Sequence, residues 1–255
     1  MPTVSLSLHA LAGLPLIEPG DDLADIIATA LNESGLGLHE GDIVVVAQKV
    51  VSKAEDLYVD LDTVRPSAQA LELAAKLGKD PRHVEVVLDE SAEIVKVGPN
   101  VIVAAHKLGF VMANAGIDES NIEHGSSGRV LLLPRDPDGS ARLIKERLDR
   151  SFGISCGVVI NDSFGRPWRN GVVGVALGAA GMPALLDRVG ADDLFGRKLK
   201  VTEIAVADEI ASAASLLMGQ ANEGLPVVLV RGFRETAPAR PAAALIRNRE
   251  RDMFR

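Results

Sequence analysis

A chain of 255 residues is long enough to bury a sizeable core in one large domain or two smaller ones. Its net charge of -8 argues against a nucleic-acid partner, which needs Lys and Arg to neutralise phosphates, while leaving room for a small anionic ligand. The single cysteine, Cys156 in the apolar run "GISCGVVI", excludes an internal disulfide framework and reads as a buried, unreactive thiol.

Aromatic residues make up only 3%, so the core must be built from Val, Leu, Ile and Ala. Residues 3–8 read as a short strand. In "EPGDDLADIIATALNESG" Asp21 or Asp22 caps a helix that carries Leu23, Ile26, Ile27, Ala30 and Leu31 at helical spacing and stops at Gly35. "DIVVVAQKVVSKAED" (42–56) reads as one continuous strand, apolar enough to be covered on both faces. Two helices follow, "PSAQALELAAKLG" ending at Gly78 and "DPRHVEVVLDES" with Val84, Val87 and Leu88 on one face. Strand-like pieces come at 93–97, 100–105, 109–113 and 129–134. "DPDGSARLIKERLDRSFG" is an amphipathic helix, and "CGVVIND" (156–162) is a strand ending in polar residues. The Gly- and Arg-rich stretch 164–200 gives no clear elements. A long helix over 201–219, a strand over 225–232 and a linker with a short C-terminal helix complete the chain. The whole reads as mixed α/β in one domain over 1–255, with a second lobe contributed by the middle third, about 60–160. The N-terminal stretch has no basic region followed by an apolar one, and the longest uncharged run (172–186) is too short and too broken by Gly and Pro to span a bilayer. A cytoplasmic protein without a membrane partner is expected.

There is no G-x-x-x-x-G-K-[ST] loop, no HExxH and no CxxC. What remains is a set of polar strand ends. Asp118 in "FVMANAGIDESN" follows one apolar run, Asp162 and Ser163 follow another, and Lys53 follows a third. Carboxylate, hydroxyl and amide oxygens suit magnesium or manganese, so these residues are candidate metal ligands; they are equally ordinary turn and capping residues. Lys53 is either a fixed positive charge for phosphate or a solvated partner of Glu55 or Asp56. "MGQANEG" (218–224) is either a helix end capped by Gly219 or a loop that embraces a nucleotide or metal. Arg166 and Arg169 either bind an anion or rim the lone Trp168.

Seven segments in order from residue 11 to 232, namely "LAGLPLIEPGDDL", "VVVAQKVVSKAE", "NAGIDESN", "VLLLPRDPDGSA", "NDSFGRPWRNGVVGVALG", "VTEIAVADEIASAASLLMGQ" and "PVVLVRG", resemble the coenzyme F-420:L-glutamate ligase family, also called F-420-0:gamma-glutamyl ligase, in its stand-alone form. The resemblance implies a non-P-loop, two-lobed fold in an intertwined homodimer. It implies a ligase of coenzyme F-420 biosynthesis that adds L-glutamate through gamma-linked amides to the precursor F-420-0. GTP, two divalent sites for manganese or magnesium, and potassium would serve it, with an acyl phosphate as intermediate. By motif, Asp118 and Asp162 look like ligands of one divalent metal, and Ser163 and Gln220 of the other; Asp118, Asp162 and Lys53 would carry the chemistry. Leu14, Pro15, Leu16, Ile17, Gln48, Lys49, Lys53 and Asn121 look like nucleotide contacts, as does the loop Met218, Gly219, Gln220, Ala221, Asn222, Glu223, Gly224 and Leu225. The rival expectations are a metal-dependent nucleotide hydrolase or phosphoryl transferase without ligation, and a non-catalytic binding protein.

Overall fold

The computed structural model describes residues 4–122 and 128–252. Thr3 of the first expected strand and residues 253–255 of the expected terminal helix lie outside them. The central element is a five-stranded sheet in the order β1 (Ser7–Ala10), β12 (Val227–Arg231), β2 (Ile43–Ala47), β8 (Gly157–Arg166) and β9 (Arg169–Ala180). Only β2 and β8 run parallel; the other neighbours are antiparallel.

Strand periodicity sorts the apolar side chains between two cores. Val44 and Val46 of β2, Val158 and Ile160 of β8, and Val227 and Leu229 of β12 fall in one buried cluster. It also holds Ile27 and Leu31 of α1 (Leu23–Glu33) and Ile144 and Leu148 of α5 (Pro137–Phe152). Ile43, Val45, Val159, Val228 and Val230 point the other way and meet Ile210, Ala211 and Ala214 of α6 (Val206–Met218). The continuous apolar run of β2 is therefore explained by cover on both faces. Cys156 belongs to the first core at 1% exposure; burial, then the nearby Asp149 charge, push its thiol up to about 12.

A third buried cluster is built from residues between Leu61 and Val130. It joins α3 (Ala68–Leu77), capped by Ser67, and α4 (Pro81–Glu90), capped by Asp80, to β5 (Val101–His106). Strand β5 lies between β4 (Ser91–Gly98) and β6 (Val111–Ala113), and β3 (Tyr58–Asp60) pairs with β7 (Arg129–Leu131).

Several expectations are corrected. The strand expected over 42–56 stops at Ala47, and Gln48–Ala54 form helix α2. The strand expected to end at Asp162 continues to Arg166 and pairs with β9 as a long hairpin, so Asp162 and Ser163 lie within it. The first strand lies at Ser7–Ala10 instead of 3–8. The helix expected from 201 begins at Val206, after the short strand β11 (Glu203–Ile204), which pairs with β10 (Leu186–Asp187). In the tail, two short 3-10 turns, Ala242–Leu245 and Arg249–Arg251, replace the expected helix, because the prolines and arginines supply no continuous apolar face. No helix among the described residues is long and apolar enough to cross a membrane.

Candidate active site

Five stretches far apart in sequence line one cavity of about 930 Å³. They are the loop 14–19, the junction of β2 and α2, the segment 118–122, the middle of β8, and the loop 218–226 after α6. Every site residue that the family resemblance implied lies on this lining: Leu14, Pro15, Leu16, Ile17, Gln48, Lys49, Lys53, Asp118, Asn121, Asp162, Ser163 and Met218 through Leu225. Arg166 and Arg169 do not; they face each other at the far end of the β8–β9 hairpin, flanking Pro167 and the exposed Trp168.

Helix α2 explains the placement of its lysines. Lys49 and Lys53 are four residues apart and so share a face. Lys49 Nζ lies 2.6 Å from Asp118 Oδ2 and donates to Ser120 O at 2.7 Å and Ser120 Oγ at 2.8 Å. Lys53 Nζ donates to Asn121 O at 2.8 Å. Gln48 is on the buried side, 3% exposed, and its amide donates to Ser52 Oγ at 2.6 Å.

The chain reaches Asp118 through three successive residues of positive φ, Asn114 (48°), Ala115 (51°) and Gly116 (72°). Past that turn the two carboxylates separate. Asp118 faces the cavity, whereas Glu119 turns to His83 Nε2 at 3.2 Å on α4. Burial works to raise the Asp118 carboxyl, but Lys49 and the N–H and O–H of Ser120 outweigh it and hold it below the usual carboxylate range. Asn121 donates from Nδ2 to Ala221 O at 2.8 Å, tying this segment to the loop after α6.

Asp162 has the opposite electrostatics. Burial first, and then the charge of Asp118, push its carboxyl up to about 6, against a hydrogen bond from Ser163 N at 2.7 Å. Ser163 Oγ donates to Gln220 Oε1 at 2.7 Å, so those two expected ligands are in contact. Beside them the buried Asn161 Oδ1 has no hydrogen-bond partner.

Two carboxylates that repel one another, with a hydroxyl, an amide oxygen and an unpartnered buried oxygen alongside, form a donor set for hard divalent cations. Among the described residues, no three His, Cys, Asp or Glu side chains stand close enough to hold a metal by themselves. A cation here would complete its shell with phosphate oxygens or water, the usual habit of magnesium.

Tyr58 and Arg129 also line the cavity, and sequence reasoning passed over both. Their strands, β3 and β7, pair across about seventy residues of chain, and no local pattern announced that pairing.

The family profile described as F420-0:gamma-glutamyl ligase matches residues 13–232. The coenzyme F420:L-glutamate ligase of Methanothermobacter thermautotrophicus is 49% identical over 257 residues, covering 99% of this chain and 100% of the relative. The proteins of the same name from Methanopyrus kandleri and Methanocaldococcus jannaschii are 49% and 47% identical, covering 94% and 95% of this chain and 93% and 94% of their own lengths. With the profile spanning most of the chain and relatives matched nearly end to end, this protein belongs to the F420-0:gamma-glutamyl ligase family and is a ligase.

Proposed function

We propose that this chain is a GTP-dependent ligase that joins L-glutamate to the deazaflavin precursor F420-0 by gamma-linked amide bonds, working in the cytoplasm in coenzyme F420 biosynthesis. The single observation that carries the reading is the convergence of Asp118, Asp162, Lys49, Lys53 and the 218–225 loop on one cavity, in a member of this family.

A carboxylate does not react with an amine unless its oxygen is made a leaving group. The γ-phosphoryl group of GTP moves to the acceptor carboxylate, giving GDP and an acyl phosphate. The amine nitrogen of L-glutamate then forms the C–N bond as the C–O bond to phosphate breaks, and inorganic phosphate leaves as the amine gives up its proton. Lys49 and Lys53 hold the 118–121 segment and bring positive charge to the phosphate side; Leu14–Ile17 and the 218–225 loop enclose the nucleotide. Asp118 and Asp162 would hold one manganese or magnesium ion, Ser163 and Gln220 the other, and bound metals offset charge on phosphate oxygens. Potassium completes the ionic requirement.

An intertwined homodimer of two-lobed, single-domain protomers is part of the proposal. Leu194, Phe195, Trp168 and Leu216 are between 84% and 98% exposed, the kind of apolar surface that a second copy covers. Light scattering on the purified protein tests that state.

The activity is tested by incubating protein with F420-0, L-glutamate, GTP and manganese and reading products by mass spectrometry. A ladder of glutamyl additions supports the ligase. GTP consumption that needs neither glutamate nor acceptor, with no ladder, replaces it with a nucleotide hydrolase.

A further inference from the structure

The cavity contains a second polar group, set apart from the carboxylates, to which nothing above assigns a role. Arg129 Cζ lies over the Tyr58 ring, 5.4 Å from its centroid. The register explains why this pair faces the same space as Asp118. Leu131 of β7 is opposite Tyr58 on one side and opposite Asp118 on the other. Directly opposed residues project from one face, and Arg129, two residues from Leu131, joins them there. Tyr58 and Asp118 are then two strand spacings apart, about 10 Å, with the fully buried Leu131 between them.

The basic groups on the lining are not equivalent. Lys49 is committed to Asp118 and Ser120, and Lys53 donates to the Asn121 carbonyl. Among the described residues Arg129 forms no ion pair, although Asp60 is its direct cross-strand neighbour, and its guanidinium lies instead over Tyr58. A guanidinium held over an aromatic ring by cation–π attraction is restrained in position and still offers N–H donors, which suit a bidentate carboxylate.

We infer that Arg129, held by Tyr58, binds a carboxylate of the incoming amino acid and so sets its amine toward the Asp118 end of the cavity. This rests on the ligase reading above. An amino-acid substrate that carries anionic groups needs one fixed cation away from the metal and phosphate charges. Arg129 is the residue placed to be that cation, and the face of Tyr58 keeps it from folding onto Asp118.

The test is steady-state kinetics on wild type, Arg129→Lys, Arg129→Met and Tyr58→Leu, varying L-glutamate, GTP and acceptor in turn. Arg129 is exposed, so Arg129→Met should keep the wild-type melting temperature. Its KM for L-glutamate should rise roughly ten- to a hundredfold, the loss of a charged hydrogen-bonded contact, with KM for GTP and acceptor within about twofold. Arg129→Lys and Tyr58→Leu should show smaller rises. Wild type should prefer L-glutamate to its α-amide or γ-amide, and Arg129→Met should lose that preference for one of the two. An unmoved KM for glutamate, or a rise confined to GTP or acceptor, overturns the assignment while the ligase stands. Absence of any glutamylated product from wild type overturns the ligase reading and this assignment with it.

Discussion

Lys49 Nζ and Asp118 Oδ2 stand 2.6 Å apart, and that contact joins the helix after β2 to the segment after the left-handed turn. Both side chains are partly exposed, so the pair contributes at most about 1 kcal/mol to folding. Its value is positional. Asp118→Asn should therefore melt within a few degrees of wild type yet lose on the order of a hundredfold or more in turnover, as expected when a group stabilising the transition state is removed. Lys49→Met should lose activity as well, because it releases Asp118 and Ser120 together. Near-normal turnover of Asp118→Asn at ordinary magnesium would remove Asp118 from the metal site.

Asp162 should make stability depend on pH in a direction opposite to most carboxylates. Its carboxyl is raised from 3.8 to about 6 by burial and by Asp118. The folded state thus binds the proton more tightly than the unfolded state does. Stability from this group is full below about pH 4, falls as pH rises to about 6, and is then level. The difference is up to roughly 3 kcal/mol. Urea melts of ligand-free protein at pH 5 and pH 8 should reveal it, and Asp162→Asn should be more stable than wild type at pH 8 while inactive. An Asn variant that is no more stable at pH 8 contradicts the assignment.

Metal and nucleotide should bind cooperatively. Among the described residues, no three His, Cys, Asp or Glu side chains gather in one place to hold a cation alone. Manganese by itself is expected to leave the melting temperature nearly unchanged, and GTP with manganese should raise it by several degrees, since ligands selective for the folded state stabilise it by mass action. Calorimetric titration showing tight manganese binding without nucleotide would refute the coupling.

The sheet and most helices were legible because their signals are local. Asp22 caps the first helix, one of the two residues expected to, and Val44 to Val46 read as a strand covered on both sides. The passage from β2 into α2 was not, because Val50 and Val51 prolong the apolar run and hide the change of period. The spacing of Lys49 and Lys53 was the available clue. Asp162 was read as a strand end because Asn161, Asp162 and Ser163 look like turn residues; pairing with Ala176, Val175 and Gly174 overrides that local preference. The meeting of five segments in one cavity depends on contacts across a hundred residues, such as Asn121 with Ala221, and only the motif resemblance pointed to it. Tyr58 and Arg129 lay outside every motif.

Asp42 and Arg231 should be the costliest ion pair to break. Asp42 is 2% exposed and accepts from Arg231 Nη2 at 2.6 Å and Nε at 3.0 Å. It also accepts from His39 N at 2.9 Å. Arg231→Met leaves a buried carboxylate without its cation and should cost roughly 3–5 kcal/mol in urea denaturation. Asp42→Asn, which keeps hydrogen-bonding capacity, should cost less. Equal losses for the two would mean that packing, and not charge, dominates there.

The turn that delivers Asp118 should tolerate substitution at one position and not at its neighbour. Gly116 has φ of 72°, and a Cβ on it would lie 2.9 Å from Leu133 Cγ and both its δ carbons. Left-handed backbone costs a non-glycine residue about 1–2 kcal/mol, and crowding in a packed core about 1–3 more. Gly116→Ala is therefore expected to destabilise by roughly 2–4 kcal/mol and to depress turnover, because Asp118 is only two residues away. Ala115 already bears the same strain, at φ of 51° and full burial. Ala115→Gly relieves that strain while losing one buried methyl, so the two effects offset and stability should change by less than about 1 kcal/mol. Urea denaturation of both variants measures the contrast. If Gly116→Ala is as stable and as active as wild type, the left-handed turn is not what holds Asp118 in the cavity.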